Sequence, residues 1–241
     1  GLVGSEMCIR DRHQMEQNQK DYREYIESWV HEIKAPITAI ALNCENNRDE
    51  RSRYLLVENR KVENYVDMAL YYARMDAVYK DYMIAETNLQ EVAQQVLLQN
   101  KYYLIQSHVK AEVACPDTVY SDKKWIAFIL NQLIQNSVKY GRSEGSHIQI
   151  VTKKTKSGVL LRVKDDGIGI PKEEIPRIFE KGFTGTNGRN RERSTGMGLY
   201  LCRKLCDKLN IEIRAESAEG KGTEIILMFP VSDYLTGYRE T

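Results

Sequence analysis

Ser28-Trp-Val-His-Glu-Ile-Lys-Ala-Pro-Ile37 decides how the first third of the chain is read. Ile26, Val30, Ile33, Ile37 and Ile40 pass through it at alternating spacings of four and three. That is the seam of a helix packed in a bundle, and it predicts a helix from about His13 to Leu42. His31 falls one residue past a seam position, on a flank that solvent and a visiting domain can reach, with the acid Glu32 beside it. Pro36 cannot donate to the carbonyl of Glu32, so a bend is expected just beyond the histidine.

Working outward, the polar stretch Asn43-Cys-Glu-Asn-Asn-Arg-Asp49 reads as a helix-helix turn. A second helix is predicted from Glu50 to about Tyr79, with Leu55, Val62, Val66 and Ala69 on one stripe and Tyr65 and Met68 widening it. Two helices cannot enclose a core. The hairpin should therefore pair with a second copy as a dimeric four-helix bundle, the alternative being a monomeric hairpin capped by the next domain.

After Tyr82 the pattern becomes mixed. Asn88 can cap a helix reaching about Ser107, with Leu89, Val92, Ala93, Val96 and Leu97 inward. His108 to Ala114 alternates as a strand, and Asp122 caps a helix to about Tyr140. Strands follow around Ile148–Thr152 and Val159–Val163, then a helix from Gly196 to about Leu209, then strands at Ile211–Glu216 and Thr223–Phe229. This order favours an α+β two-layer sandwich. The division is 13–82 for the hairpin, 83–231 for the sandwich, and 232–241 for a loose tail.

Composition narrows the class. The 42% apolar and 29% charged fractions are those of a globular chain. Thirty-five basic against thirty-four acidic residues give +1, so no overall electrostatic pull toward nucleic acid exists. No apolar run approaches the ~18 residues of a membrane span. Five cysteines without paired C-x-x-C spacing argue for a reducing compartment and against zinc; Cys202 and Cys206, one turn apart, read as packing residues. Leu2-Val-Gly-Ser-Glu-Met-Cys-Ile-Arg-Asp11 is what a common sequencing-library adapter encodes in one frame. Residues 1–12 are therefore set aside as an artefact, and the natural protein is expected to continue upstream.

Four patterns carry chemistry. On the helix after Asp122, Gln132, Asn136 and Lys139 share a face; amide oxygens can ligate Mg²⁺ and an ammonium can meet phosphate. Asp165-Asp-Gly-Ile-Gly169 directly follows a strand, where a carboxylate can accept from an exocyclic amine such as adenine's and the glycines admit a ligand closely. Ser194-Thr-Gly-Met-Gly-Leu199 puts backbone amides at a helix N-terminus, a phosphate site. Gly185-Thr-Asn-Gly-Arg-Asn-Arg-Glu-Arg193 reads as a lid over phosphates.

In this order the four resemble a bacterial two-component sensor histidine kinase over about residues 13 to 230. Ser28–Ile37 resembles the H box, Asn131–Tyr140 the N box, Asp165–Ile170 the G1 box, Arg177–Phe183 the F box and Gly196–Leu199 the G2 box. The phrases Trp-Val-His-Glu-Ile-Lys and Ser-Thr-Gly-Met-Gly-Leu-Tyr-Leu-Cys resemble the subfamily sensing bacitracin and other envelope-directed antibiotics.

The resemblance implies a sandwich of the GHKL ATPase type, ATP and Mg²⁺ as cofactors, a homodimer, and an aspartate-bearing response regulator as partner. The subfamily implies a partner ABC transporter and membrane helices upstream of residue 13, so that this cytoplasmic portion would belong to a plasma-membrane protein. Carried over, His31 would be the phosphoacceptor and Glu32 the acid that orients it and takes its proton. Asn136, with Gln132 where relatives have Asn or His, would hold Mg²⁺; Lys139 would meet phosphate and Tyr140 sit near the nucleotide. Asp165 would recognise adenine, Gly167 and Gly169 shape its pocket, Gly196, Gly198 and Leu199 cradle phosphates, and Thr223 lie near adenine. Phe179 and Phe183 would anchor the lid. Ala35 stands where many relatives carry Thr or Asn, implying weak phosphatase activity toward the regulator. The alternative is a GHKL-type ATPase, or a nucleotide-binding module, without kinase activity.

Overall fold

No proline precedes Pro36, and extending a formed helix costs little per residue. Helix α1 accordingly spans Leu2–Asn46, longer at both ends than the expected His13–Leu42, with Pro36 inside it. The computed structural model describes residues 2–47, 49–74, 83–142, 145–186 and 195–231. It divides into two units, Gly1–Lys80 and Asp81–Thr241.

The helix-helix turn is shorter than the polar stretch suggested. α1 runs on through Asn43–Asn46 with Cys44 buried, and Asn47 Nδ2 donates to the Asn43 carbonyl at 3.2 Å. Asp49 then caps α2, Glu50–Arg74, by accepting from the Ser52 amide at 2.6 Å, a bond that holds its carboxyl below the ordinary carboxylate range. Residues 75–82, where the second helix was expected to end, lie outside the described residues.

The packed stripe of α2 differs from the expected one. Val66 and Met68 are buried as expected, but Leu55, Val62, Tyr65 and Ala69 are exposed, and Ser52, Leu56 and Asn59 are buried in their place. Polar residues hold two of the seam positions, so an apolar-only pattern slips by one residue. Asn59 Nδ2 donates 2.8 Å to the carbonyl of Ile37, which satisfies the buried amide. Val30, Ile37 and Val66 form the hairpin's core, packed by Ile26, Ile33 and Leu70. Ion pairs Lys34–Asp67 (2.6 Å) and Glu27–Arg74 (2.8 Å) flank it, partly exposed and individually weak. No described helix is long and apolar enough to cross a membrane.

The second unit comprises β1 (Ala85–Asn88), α3 (Leu89–Gln99), α4 (Lys101–Gln106), β2 (Val109–Ala114), β3 (Thr118–Ser121), α5 (Lys123–Lys139), β4 (Ser146–Thr155), β5 (Gly158–Asp165), a 3₁₀ turn at Ile175–Arg177, α6 (Gly198–Lys208), β6 (Glu212–Ala218) and β7 (Gly222–Pro230). The main sheet has order β2-β4-β5-β7-β6, with β2 parallel to β4 and the other pairs antiparallel. Alternation puts Ile148, Ile150, Leu161, Val163 and Leu227 inward, and α3, α5 and α6 cover that face with Val92, Ile129, Leu133 and Leu205. Cys202 and Cys206 are buried there as packing residues, their thiols pushed up by burial, that of Cys206 to about 12.

Three details depart from the sequence reading. β1 and β3 pair as a separate two-stranded ribbon that was not foreseen, each strand being too short for alternation to register. The helix after Asn88 breaks at Asn100, whose Nδ2 donates to the Val96 carbonyl (2.9 Å) and to Asn131 Oδ1 (2.8 Å), competing with helical continuation. α6 begins at Gly198, not Gly196. The caps at Asn88 and Asp122 are as expected.

Candidate functional site

The sheet delivers Asp165 at the end of β5, next to the C-terminal end of α5. Its Oδ1 accepts from the amides of Gly167 and Thr223, both at 3.0 Å, and its Oδ2 accepts from Ser137 Oγ at 3.0 Å. Burial pushes the carboxyl above its ordinary value, and these three donors only partly offset that. The result is a fixed carboxylate edge in a partly dry place, suited to accepting from an amine.

The two glycines of this loop are needed for different reasons. A Cβ on Gly167 would lie 2.5 Å from the Tyr140 carbonyl oxygen. Gly169 has φ +71°, and its Cβ would lie 2.0 Å from the Ala218 carbonyl oxygen. Loop and β6–β7 hairpin thus touch backbone to backbone. Ser217 Oγ accepts from the Ile170 amide at 2.9 Å and lies 3.0 Å from Thr223 Oγ1, which places Thr223 beside Asp165.

A second cluster forms where α5 meets α6. Gln132 is buried, and a Cβ on Gly198 would come 2.7 Å from its Oε1, so the amide lies against the first turn of α6. No side chain caps that helix, whose N-terminal amides and dipole suit an anion; Leu199 sits half-buried in the same turn. Gly196 (φ +64°) accepts at its carbonyl from the Gly182 amide at 3.1 Å, tying this turn to the segment before it. Asn136 and Lys139, half-buried, continue the Gln132 face of α5, and Lys139 Nζ lies 5.9 Å from the Tyr140 ring centroid.

Residues 121–233 match the family of histidine kinase-, DNA gyrase B-, and HSP90-like ATPases. The sensor histidine kinase YxdK of Bacillus subtilis is 33% identical over 207 residues, covering 85% of this chain and 64% of the relative. The sensor protein kinase GraS of Staphylococcus aureus is 35% identical over 218 residues, covering 88% and 62%. The chain is thus similar to bacterial sensor histidine kinases over more than four fifths of its length. It spans a little under two thirds of the length of these relatives. Solved structures agree on the fold. The catalytic domain of histidine kinase ThkA superposes with TM-score 0.53 at 26% identity, covering 61% of this chain and 97% of that one. Acinetobacter baumannii histidine kinase AdeS does so at 0.58 and 20%, covering 84% and 98%.

The expected residues fall into three groups. Asp165, Gly167, Gly169, Thr223 and the backbone of Tyr140 converge; Gln132 and Gly198 meet at the start of α6, with Gly196 just before it against Gly182. His31 and Glu32 are exposed on α1, in the other unit. Phe179 and Phe183 are half-buried, with Arg177 Cζ 4.7 Å from the Phe183 ring centroid. Of the expected lid, Thr186 is fixed by its amide (2.9 Å) and hydroxyl (2.7 Å) to Glu174 Oε1; residues 187–194 lie outside the described residues.

Sequence reasoning missed Ser137 and Glu174. Ser137 directly follows Asn136 and turns to the sheet side of α5, a signal available from helical phase. Among the described residues no three His, Cys, Asp or Glu side chains cluster as metal ligands. The neutral amide oxygens of Gln132 and Asn136 are hard donors of the kind Mg²⁺ accepts when nucleotide phosphates and water complete its shell.

Proposed function

We propose that this chain is the kinase core of a sensor histidine kinase that phosphorylates His31 from ATP and passes the group to an aspartate of a response regulator. The observation that carries the reading is the Asp165 carboxylate, fixed by two amides and a hydroxyl at the mouth of a family-typical ATPase fold. Adenine's amino group would donate to Asp165, while the α6 amides and Lys139 would meet the phosphates. Mg²⁺, held through Asn136 and Gln132, would neutralise charge on the transferring group.

At His31 a ring nitrogen attacks the γ-phosphorus, the bond to ADP oxygen breaks, and the ring proton passes to Glu32. The N–P bond then breaks as the regulator's carboxylate attacks. Exposure of His31 suits both encounters.

The hairpin would dimerise as a four-helix bundle. Tyr25, Trp29 and Ile40 on α1 and Leu55, Val62 and Tyr65 on α2 are exposed apolar residues that a second copy could cover. Membrane segments upstream of residue 13, an ABC transporter partner and a response to cell-envelope antimicrobials follow from the subfamily resemblance. Ala35, exposed on α1 and without a hydrogen-bonding side chain, supports weak regulator phosphatase activity.

The test incubates the chain with γ-labelled ATP and Mg²⁺ beside His31→Gln and Asp165→Asn. Acid-labile, alkali-stable label lost in both variants is expected. Label surviving in His31→Gln would overturn the choice of nucleophile, and ATP binding without label would favour a nucleotide-binding module.

A further inference from the structure

Three segments frame the Asp165 pocket: 140–142 after α5, 165–170 after β5, and the β6–β7 turn at 218–223. Backbone bonds link them in series. The Ile168 amide donates to the Tyr140 carbonyl at 3.0 Å, and the Gly220 amide donates to the Ile168 carbonyl at 2.7 Å. Arg142 closes the ring, its Nη2 donating to the Gly220 carbonyl at 2.6 Å across 78 residues of sequence. Arg142 is itself fixed at its base, its amide donating to Ser146 Oγ at 2.7 Å. Gly220 has φ +74°, and nothing stands within 4 Å of where its Cβ would be. Two residues further on, the Thr223 amide binds Asp165.

The geometry points to Arg142 as a positioning residue for the nucleotide site: its guanidinium clasps the β6–β7 turn and so holds the Thr223 amide against Asp165. The turn is exposed over residues 218–221. Its own chain closes it through the Lys221 amide to the Ala218 carbonyl (2.9 Å) and Ser217 Oγ to the Gly222 carbonyl (2.7 Å), but those bonds do not fix the turn against the Asp165 loop. A charge-assisted bond from a fixed neighbouring loop supplies that restraint without touching the ligand. Arg142 belongs to none of the sequence patterns for nucleotide binding.

The proposal rests on the nucleotide-binding reading of the Asp165 pocket, and its test separates the two. The full chain and its Arg142→Ala and Arg142→Lys variants are compared by ATP titration and by amide hydrogen exchange without nucleotide. Arg142→Ala is expected to weaken ATP binding about fivefold, the scale of one ordinary net hydrogen bond. Exchange at Gly220 and Thr223 should accelerate, the unfolding midpoint should stay unchanged, and Arg142→Lys should restore part of the affinity. In the phosphorylation assay the KM for ATP should rise while the saturated rate holds. Unchanged exchange at Gly220 and Thr223 in Arg142→Ala would overturn the clasp, whether or not ATP binds. If the wild-type chain fails to bind ATP while exchange accelerates in the variant, the clasp stands and the nucleotide reading falls.

Discussion

Ser137 Oγ lies 3.0 Å from Asp165 Oδ2, joining α5 to the end of β5 across 28 residues of chain. Serine donates here, so one carboxylate oxygen is aimed before any ligand arrives. Ser137→Ala removes that donor from a buried position without creating a bulky change. ATP affinity should fall by about three- to tenfold, the scale of one ordinary net hydrogen bond. Calorimetric titration checks this, and unchanged affinity would show that the two backbone amides alone aim the carboxylate.

Asp165 also makes binding sensitive to acid. Its carboxyl is held above the ordinary value, chiefly by burial. The folded state therefore keeps its proton to higher pH than the unfolded chain does. Between the ordinary carboxylate value and the raised one, this group's contribution to stability falls as pH rises, because the folded state binds more of the proton there than the unfolded chain does. Two outcomes follow. Nucleotide binding, which needs the ionised acceptor, should be lost on acidification at a higher pH than an ordinary aspartate would give. Asp165→Asn should be at least as stable as wild type at neutral pH while binding ATP poorly. Thermal melts and pH-dependent titrations measure both; a marked loss of stability in Asp165→Asn would contradict the sign.

How much of this was legible in the sequence depended on the signal. The strand before Asp165 and the seam from Ile26 to Ile37 are strictly periodic, and both are formed, while Ile40 at the expected end of the seam is exposed. The α2 stripe was right at Val66 and Met68 but misplaced in its first half, because Ser52 and Asn59 occupy buried positions that hydropathy does not mark. β1 and β3 exist only through pairing with each other, a non-local condition. Asn100 breaks a helix by bonding Asn131, again invisible locally. At the site, motif residues were readable from glycine and acid spacing. Ser137, Glu174 and Arg142 act through partners 28, 12 and 78 residues away, which spacing does not reveal.

Gly169 tests whether the pocket tolerates any side chain. Its φ of +71° disfavours an L-residue, and the new Cβ would meet the Ala218 carbonyl oxygen at 2.0 Å. Backbone cannot swing aside as a flexible side chain can. Gly169→Ala should therefore cost about 2–4 kcal/mol and abolish nucleotide binding. Urea unfolding followed by fluorescence of Trp125, buried in the sandwich, in a Trp29→Phe background measures the first effect. A variant of near wild-type stability would mean that the β6–β7 hairpin can move off the loop.

Asn59 tests the hairpin. It is 8% exposed, and its amide donates to the Ile37 carbonyl, one residue beyond Pro36. Replacing it with Asp leaves a buried acceptor facing another acceptor, so a loss of about 3–5 kcal/mol in hairpin stability is expected. Asn59→Leu removes the donor but adds apolar burial, and the Ile37 carbonyl keeps its helical position. Stability should then change by less than about 1.5 kcal/mol, with the cost appearing in specificity of packing. α1 and α2 hold most of the helical residues, so far-UV ellipticity weights the hairpin, while Trp125 fluorescence in a Trp29→Phe background reports the sandwich. An Asp variant whose ellipticity transition matches wild type would place Asn59 at the surface in solution, and the α2 seam would revert to the Leu55–Val62 stripe.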